Sequence, residues 1–186
     1  MSLKKIDKSI KIHVKKKNYV RISRGYKNDI FGAITGYLVA SSKNFVLIAE
    51  IEDFYFFGFH CIPIRTITNI RRNKNDEYFG MIFEKESPKV FKKIFQKSNS
   101  INLNSFQNIL KNLKNQNECV IIESERIKDD LFSIGHIQKI SKKTVAIKHF
   151  NAQGFLEEPI KEKLQKITKI TYQDNYSNTF KKYIRS

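Results

Sequence analysis

Cysteine is scarce in this chain: Cys61 and Cys119 are the only two in 186 residues. Neither has a second cysteine or a histidine at metal-ligand spacing. Cys61 follows His60, but adjacent side chains on a strand point to opposite faces and cannot share one ion. The pattern excludes a disulfide scaffold and a zinc motif and predicts two reduced core thiols. Long apolar runs are also missing. Nothing approaches the ~18 residues that span a bilayer, so no membrane partner is expected. The lysines near the start are not followed by an apolar segment, which predicts no secretory signal and a cytoplasmic location.

Catalytic signatures are absent as well. There is no glycine-rich phosphate loop, no H-E-x-x-H, no G-x-S-x-G, and no cysteine–histidine pair with an orienting third group. The acidic clusters Glu50/Glu52/Asp53, Asp129/Asp130 and Glu157/Glu158 fall at expected turns and strand ends, where charge is solvated. His13, His60, His136 and His149 lie on separate expected strands, with His136 and His149 placed for a cross-strand surface pair. No catalytic residue, metal site, cofactor or small-molecule substrate is expected, and the chain does not read as an enzyme.

Acidic residues are few: 18 Asp and Glu stand against 35 Lys and Arg, for a net charge of +17. The excess is uneven. Residues 1–27 hold ten basic side chains and one acid, and residues 67–117 hold ten and four, whereas residues 28–66 hold two and four. A bias in composition raises lysine and asparagine but does not by itself explain so few acids. The asymmetry favours a polyanionic partner.

What the chain does have is internal repetition. Tyr19–Ile22 recurs as Cys119–Ile122, and Asn28–Phe31 as Asp129–Phe132. Gly36-Tyr-Leu recurs as Gly135-His-Ile, Ser42-Lys43 as Ser141-Lys142, Val46-x-Ile48 as Val145-x-Ile147, and Ile67–Ile70 as Ile167–Ile170. An offset near 100 is that of a duplicated domain, since solenoid units run to about 20–50 residues.

Periodicity supplies the elements. Ile10, Ile12 and Val14 alternate within Ser9–Val14, predicting a half-buried strand. Further strands are expected at Tyr19–Arg24, Phe31–Ala40, Asn44–Ile51, Tyr55–Ile64, Thr66–Ile70 and Tyr78–Glu84. Pro63 belongs at a strand end because it cannot donate to a ladder. Helices are predicted at Pro88–Gln96, with Ser87 as N-cap, and from about Asn104 to Lys114. Strands then return at Cys119–Ser124, Leu131–Ile140, Lys143–Asn151, Phe155–Glu162 and Ile167–Tyr172. A final helix, Asn175–Ile184, is expected behind an Asp174 cap with Tyr176, Phe180, Tyr183 and Ile184 turned inward.

Short strands, tight turns and bend-permitting glycines at Gly36 and Gly135 suit small, strongly curved barrels. The expectation is a mainly β (α+β) chain: a first barrel with a basic arm over residues 1–84, a helical linker over 85–117, and a second barrel with a terminal helix over 118–186. Over Phe31–Ile51 and Leu131–Phe150 the order apolar, glycine, two apolar positions, polar turn, alternating Val/Ile resembles the first motif of Sm-like proteins and related SH3-like barrels. The resemblance implies the barrel fold. It does not extend to that family's uridine pocket, because Ser42 and Ser141 stand where the family has Asp and Val46 and Val145 where it has Asn. Its second motif is not recognisable at Ile64–Ile70 or Lys163–Ile170.

Two functions stay open. One is non-enzymatic nucleic-acid binding, RNA or single strands favoured, with low sequence specificity. Lys15, Lys16, Lys17, Arg21, Arg24, Arg71 and Arg72 would contact phosphates, and Tyr55 or Phe57 would stack on bases. The other is a protein-interaction module. Phe54, Tyr55, Phe56, Phe57 and Phe59 make a strand apolar on both faces, able to dock a partner or a second copy unless the chain covers it internally.

Overall fold

A computed structural model describes residues 2–96, 100–129 and 131–185. It opens on a helix, α1 (Leu3–Lys16), not on the expected strand at Ser9–Val14. Ile10, Ile12 and Val14 fit a two-residue period, but Leu3, Ile6, Ile10 and Val14 fit a helical one over a longer window. Burial decides between them: Ile6 and Ile10 are sealed in the core, while Ile12 is 42% exposed. Lys17, in the left-handed region, ends the helix.

Ten antiparallel strands are found among the described residues: β1 (Tyr19–Tyr26), β2 (Asp29–Ser41), β3 (Phe45–Glu52), β4 (Tyr55–Pro63), β5 (Ile67–Arg71), β6 (Cys119–Ser124), β7 (Leu131–Ile140), β8 (Thr144–His149), β9 (Ile160–Lys163) and β10 (Lys169–Tyr172). They form one open sheet in the order β5-β1-β2-β3-β4-β10-β6-β7-β8-β9. The order β5-β1-β2-β3-β4 is replayed as β10-β6-β7-β8-β9. Neither half closes on itself, because the outer edge of β4 is satisfied by β10, with Phe59, His60 and Cys61 opposite Tyr172, Thr171 and Ile170. The expected closed barrels are therefore one continuous sheet with a junction in its middle.

Glycine is required where the long strands bend. At Gly36 (φ 148°) a Cβ would drive into the Ala49 carbonyl, and at Gly135 (φ 150°) into that of Lys148. No L side chain adopts that backbone without strain.

Residues 78–84 belong to a helix, α2 (Lys74–Glu86), where a strand was expected. The deciding signal is a capping box: Asn73 Oδ1 accepts from Asp76 N at 3.0 Å, and Asp76 Oδ2 accepts from Asn73 N at 2.9 Å. α3 (Pro88–Gln96) and α4 (Phe106–Asn115) follow, α4 capped by Ser105. α4 leads into β6 and packs on β7 much as α1 leads into β1 and packs on β2. The last helix, α5 (Asn175–Phe180), is shorter than expected: the tail leaves it so that Arg185 N can donate to Gly154 O at 2.8 Å. Tyr176 and Tyr183 are consequently exposed, whereas Phe180 stacks on Phe150. The strand expected at Phe155–Glu162 is broken near Pro159, leaving an isolated bridge at Leu156 and then β9.

Two main cores result. Ile6 and Ile10 of α1 cover Val20, Ile22, Leu38, Ile48 and Ile62 inside the first half. A larger core joins the far face of that half (Tyr37, Leu47, Phe59) to α4 and to Val120, Ile147 and Ile170 of the second. The halves are thus fused through apolar packing as well as through the sheet. Among the described residues no helix is long and apolar enough to cross a membrane.

Candidate nucleic-acid interface

α1 presents a face of exposed positive charge. Its inward positions hold Ile6 and Ile10, and its outer positions hold Lys4, Lys5, Lys8, Lys11, Lys15 and Lys16, all exposed. Lys4 and Lys5 sit in the first turn, which has no acid and no side-chain cap. Cations there oppose the helix dipole by about 0.3–1 kcal/mol each, a cost that a bound anion would relieve.

At the N-terminal end of α1 lies a groove of about 880 Å³. Its rim carries Lys4, Lys11, Lys43 and Arg65, the last two from the β2–β3 and β4–β5 turns. The turns hold their shape locally: Ser42 Oγ accepts from Asn44 N and Phe45 N and donates to Leu103 O at 2.7 Å. Lys11 is paired with Asp7 at 2.6 Å, while Lys4, Lys43 and Arg65 have no ion pair among the described residues. Arg65 also lines a neighbouring depression with Tyr26, Lys27 and the highly exposed Ile30.

The expected phosphate contacts divide. Lys15, Lys16 and Lys17 are exposed at the C-terminal end of α1, with the Lys17 ammonium 4.9 Å from the centre of the Phe95 ring. Arg21 lies opposite Arg71 on β1 and β5. Burial, then the charges of Arg72 and Lys16, hold the His13 pKa below its ordinary value, which places Arg72 beside this same end of α1. Arg71 forks onto Asp76 (3.1 and 2.8 Å), and Arg72 pairs with Glu77, so both are partly neutralised.

Arg24 is withdrawn from the surface set. It is 2% exposed and forms a bidentate pair with Glu125 of the second half, one arm at 2.9 Å, with a further contact to Thr168 O at 3.4 Å. A guanidinium buried between the halves cannot meet a phosphate.

The aromatic strand divides too. Phe59 is buried and stacks on Tyr172, Phe56 stands edge-on to Phe59, and Phe54 leans on Phe79 of α2. Phe59 is thus covered from within the chain, and Phe54 and Phe56 are half-buried against its rings. Tyr55 (71%) and Phe57 (42%) remain exposed.

The remaining reactive groups are held internally. Burial pushes the Cys61 thiol up, and burial with the Asp174 charge pushes Cys119 up to about 12. His60 bridges the junction, Nε2 to Glu50 at 2.7 Å and Nδ1 to Thr171 Oγ1 at 2.8 Å. His149 lies opposite Gly135 and bonds Ile134, so it does not form the expected pair with His136. Asp129 is held by Lys166 at 3.1 Å, and Asp130 lies outside the described residues. No group of three or more His, Cys, Asp and Glu able to hold a metal occurs among the described residues.

Lys4, Lys11, Lys43 and Arg65 were not singled out from the sequence. The helical spacing of Leu3, Ile6, Ile10 and Val14 was the signal that would have turned these lysines outward together. Compared with family models, curated proteins and solved structures, the chain matches none.

Proposed function

We propose that this chain is a non-enzymatic binder of single-stranded nucleic acid, with RNA favoured, built from two repeats over residues 1–84 and 118–186, each an Sm-like or SH3-like barrel left open where the two share a sheet, with the helical segment 85–117 between them. The reading rests above all on α1, which is anchored by Ile6 and Ile10 and lays a lysine face between the Lys43/Arg65 groove and the Arg21/Arg71/Arg72 end. Lysine and arginine on phosphate give affinity without sequence information, and exposed rings such as Tyr55 and Phe57 add sequence-tolerant stacking. Fluorescence anisotropy against short RNA and duplex DNA at 50 and 200 mM salt tests it. Engagement of Lys4, Lys43 and Arg65 alone gives a log–log salt slope of about −2, or roughly a 20-fold loss of affinity over that range. A preference for duplex, or affinity indifferent to salt, contradicts the reading.

A second reading, docking of a second copy, is favoured by the sheet order. β5 and β9 are the two ends of the sheet, and the offset near 100 makes them counterparts of the joined β10 and β4. Repeating the internal register would set Pro159, Ile160 and Lys161 of one copy opposite Arg72, Arg71 and Ile70 of the next, with Glu157 and Glu158 beside Lys74. Sedimentation velocity of Glu157→Lys/Glu158→Lys, of Arg72→Glu/Lys74→Glu and of the combined swap tests it. Association lost in each and regained in the swap supports docking, and association indifferent to these charges contradicts it.

A further inference from the structure

A second cleft, of about 550 Å³, opens where the two halves meet. Phe59 and Ile94 lie along its floor, and Tyr55 and Phe56 form an aromatic wall. Its uncharged and acidic polar lining comes from Glu118, at the start of the second half, from Gln173, and from Asn175 and Asn178 in α5. Lys93 and Lys181 stand exposed on its rim.

Glu118 is the unusual member. It is 9% exposed, and its one side-chain hydrogen bond among the described residues comes from Gln173 Nε2. No Lys, Arg or His nitrogen among the described residues lies within 4.0 Å of its carboxylate. Gln173 occupies one carboxylate oxygen, and the other is not a buried unpartnered atom but stays open to solvent beside the cleft, so it offers a ligand an acceptor for N–H groups. The rim lysines disfavour a cation and favour a phosphate. The aromatic wall favours a flat ring. Guanine alone among the four bases presents two adjacent N–H donors, N1–H and N2–H, beside an acceptor, O6, on its pairing edge.

We infer that the junction cleft is a guanine-nucleotide site. Glu118 accepts from N1–H and N2–H, the Asn178 amide donates to O6, Tyr55 stacks on the base, and Lys93 and Lys181 meet the phosphate. This deepens the nucleic-acid reading and rests on it for the source of the guanine: the α1 groove tracks backbone without selectivity, and the cleft selects one base.

The test is anisotropy at 50 mM salt with a labelled uridine 9-mer and the same strand carrying one central guanosine, beside calorimetry with free 5′-GMP and 5′-AMP. The guanosine strand is expected to bind about tenfold tighter or more, the value of one good bidentate contact. Glu118→Gln removes that preference while leaving the plain uridine strand unchanged, which also reports that the variant is folded. Tyr55→Ala, at an exposed position, weakens guanine binding by about fivefold or more. Equal affinity for the two strands, or a preference that survives Glu118→Gln, overturns the site. If the uridine strand binds without a guanine preference, the site fails and the nucleic-acid reading stands. If GMP binds over AMP but neither strand binds, the site stands on the free nucleotide and the nucleic-acid reading fails.

Discussion

Replacing Arg24 by methionine separates structure from binding in one experiment. Its side chain is fully buried, and both arms reach the Glu125 carboxylate, whose side chain is 16% exposed. Methionine keeps much of the volume and removes the charge, leaving Glu125 to Thr168 Oγ1 at 3.1 Å and Lys169 at 3.9 Å. Loss of one partner of a buried pair costs about 3–5 kcal/mol, and the remaining contacts place this case at about 3 kcal/mol. With a urea m-value of about 2 kcal/mol/M, the unfolding midpoint falls by about 1.5 M. Arg24→Met/Glu125→Met recovers most of that loss, because two apolar side chains replace the pair without an orphaned charge. RNA affinity of the folded variant stays at the parent value. A midpoint shift below about 0.3 M, a double variant no better than the single, or a fall in RNA affinity at unchanged stability refutes the assignment of Arg24 to the junction.

Other outcomes follow from single contacts. Gly36→Ala places a Cβ against the Ala49 carbonyl at a strained φ and is expected to cost about 3 kcal/mol, read as a lower thermal midpoint; an unchanged midpoint would mean the bend is not needed. Asp76→Ala removes the carboxylate half of the capping box and the Arg71 fork while the Asn73 side-chain cap remains, for about 1–2 kcal/mol in urea titration. Burial works against the Glu50 carboxylate, but the hydrogen bond and charge of His60, with Lys169 and Arg24, outweigh it and hold the pKa below its ordinary value. A depressed folded pKa gives stability that is present above the unfolded value near 4.3 and lost as pH falls through the folded one. Urea titrations from pH 6 to 3 should therefore show a shallower acid decline for Glu50→Gln than for the parent chain, and parallel curves would contradict the linkage.

The individual strands were largely legible because they carry their own signals, whereas their union into one sheet through β4 and β10 was not. Alternating Val and Ile, the Ser42 and Ser141 turns and the bend glycines are local features, and β1 to β8 fall close to where they place them. α1 was misread because six residues fit two periods, and only the longer window reaching Leu3 and Ile6 tells them apart. α2 was missed because Tyr78–Glu84 is rich in aromatic and β-branched residues while its cap, Asn73 with Asp76, lies outside that stretch. The fate of Arg24 was not legible at all, since its partner lies 101 residues away across the junction of the two halves. The cleft around Glu118 depends on the same junction. Sequence periodicity places residues on faces of their own element, and sites assembled across the two halves are invisible to it.

The most direct test of the central claim compares the parent chain with Lys4→Gln/Lys43→Gln/Arg65→Gln in RNA titrations across 50–200 mM salt. All three positions are exposed, so the fold should be kept, as circular dichroism can verify. The account predicts weaker binding for the variant at low salt and a log–log slope shallower by about 2, three phosphate contacts at about 0.7 each. An unchanged slope and affinity in the folded variant would mean that the groove beside α1 does not carry the nucleic acid.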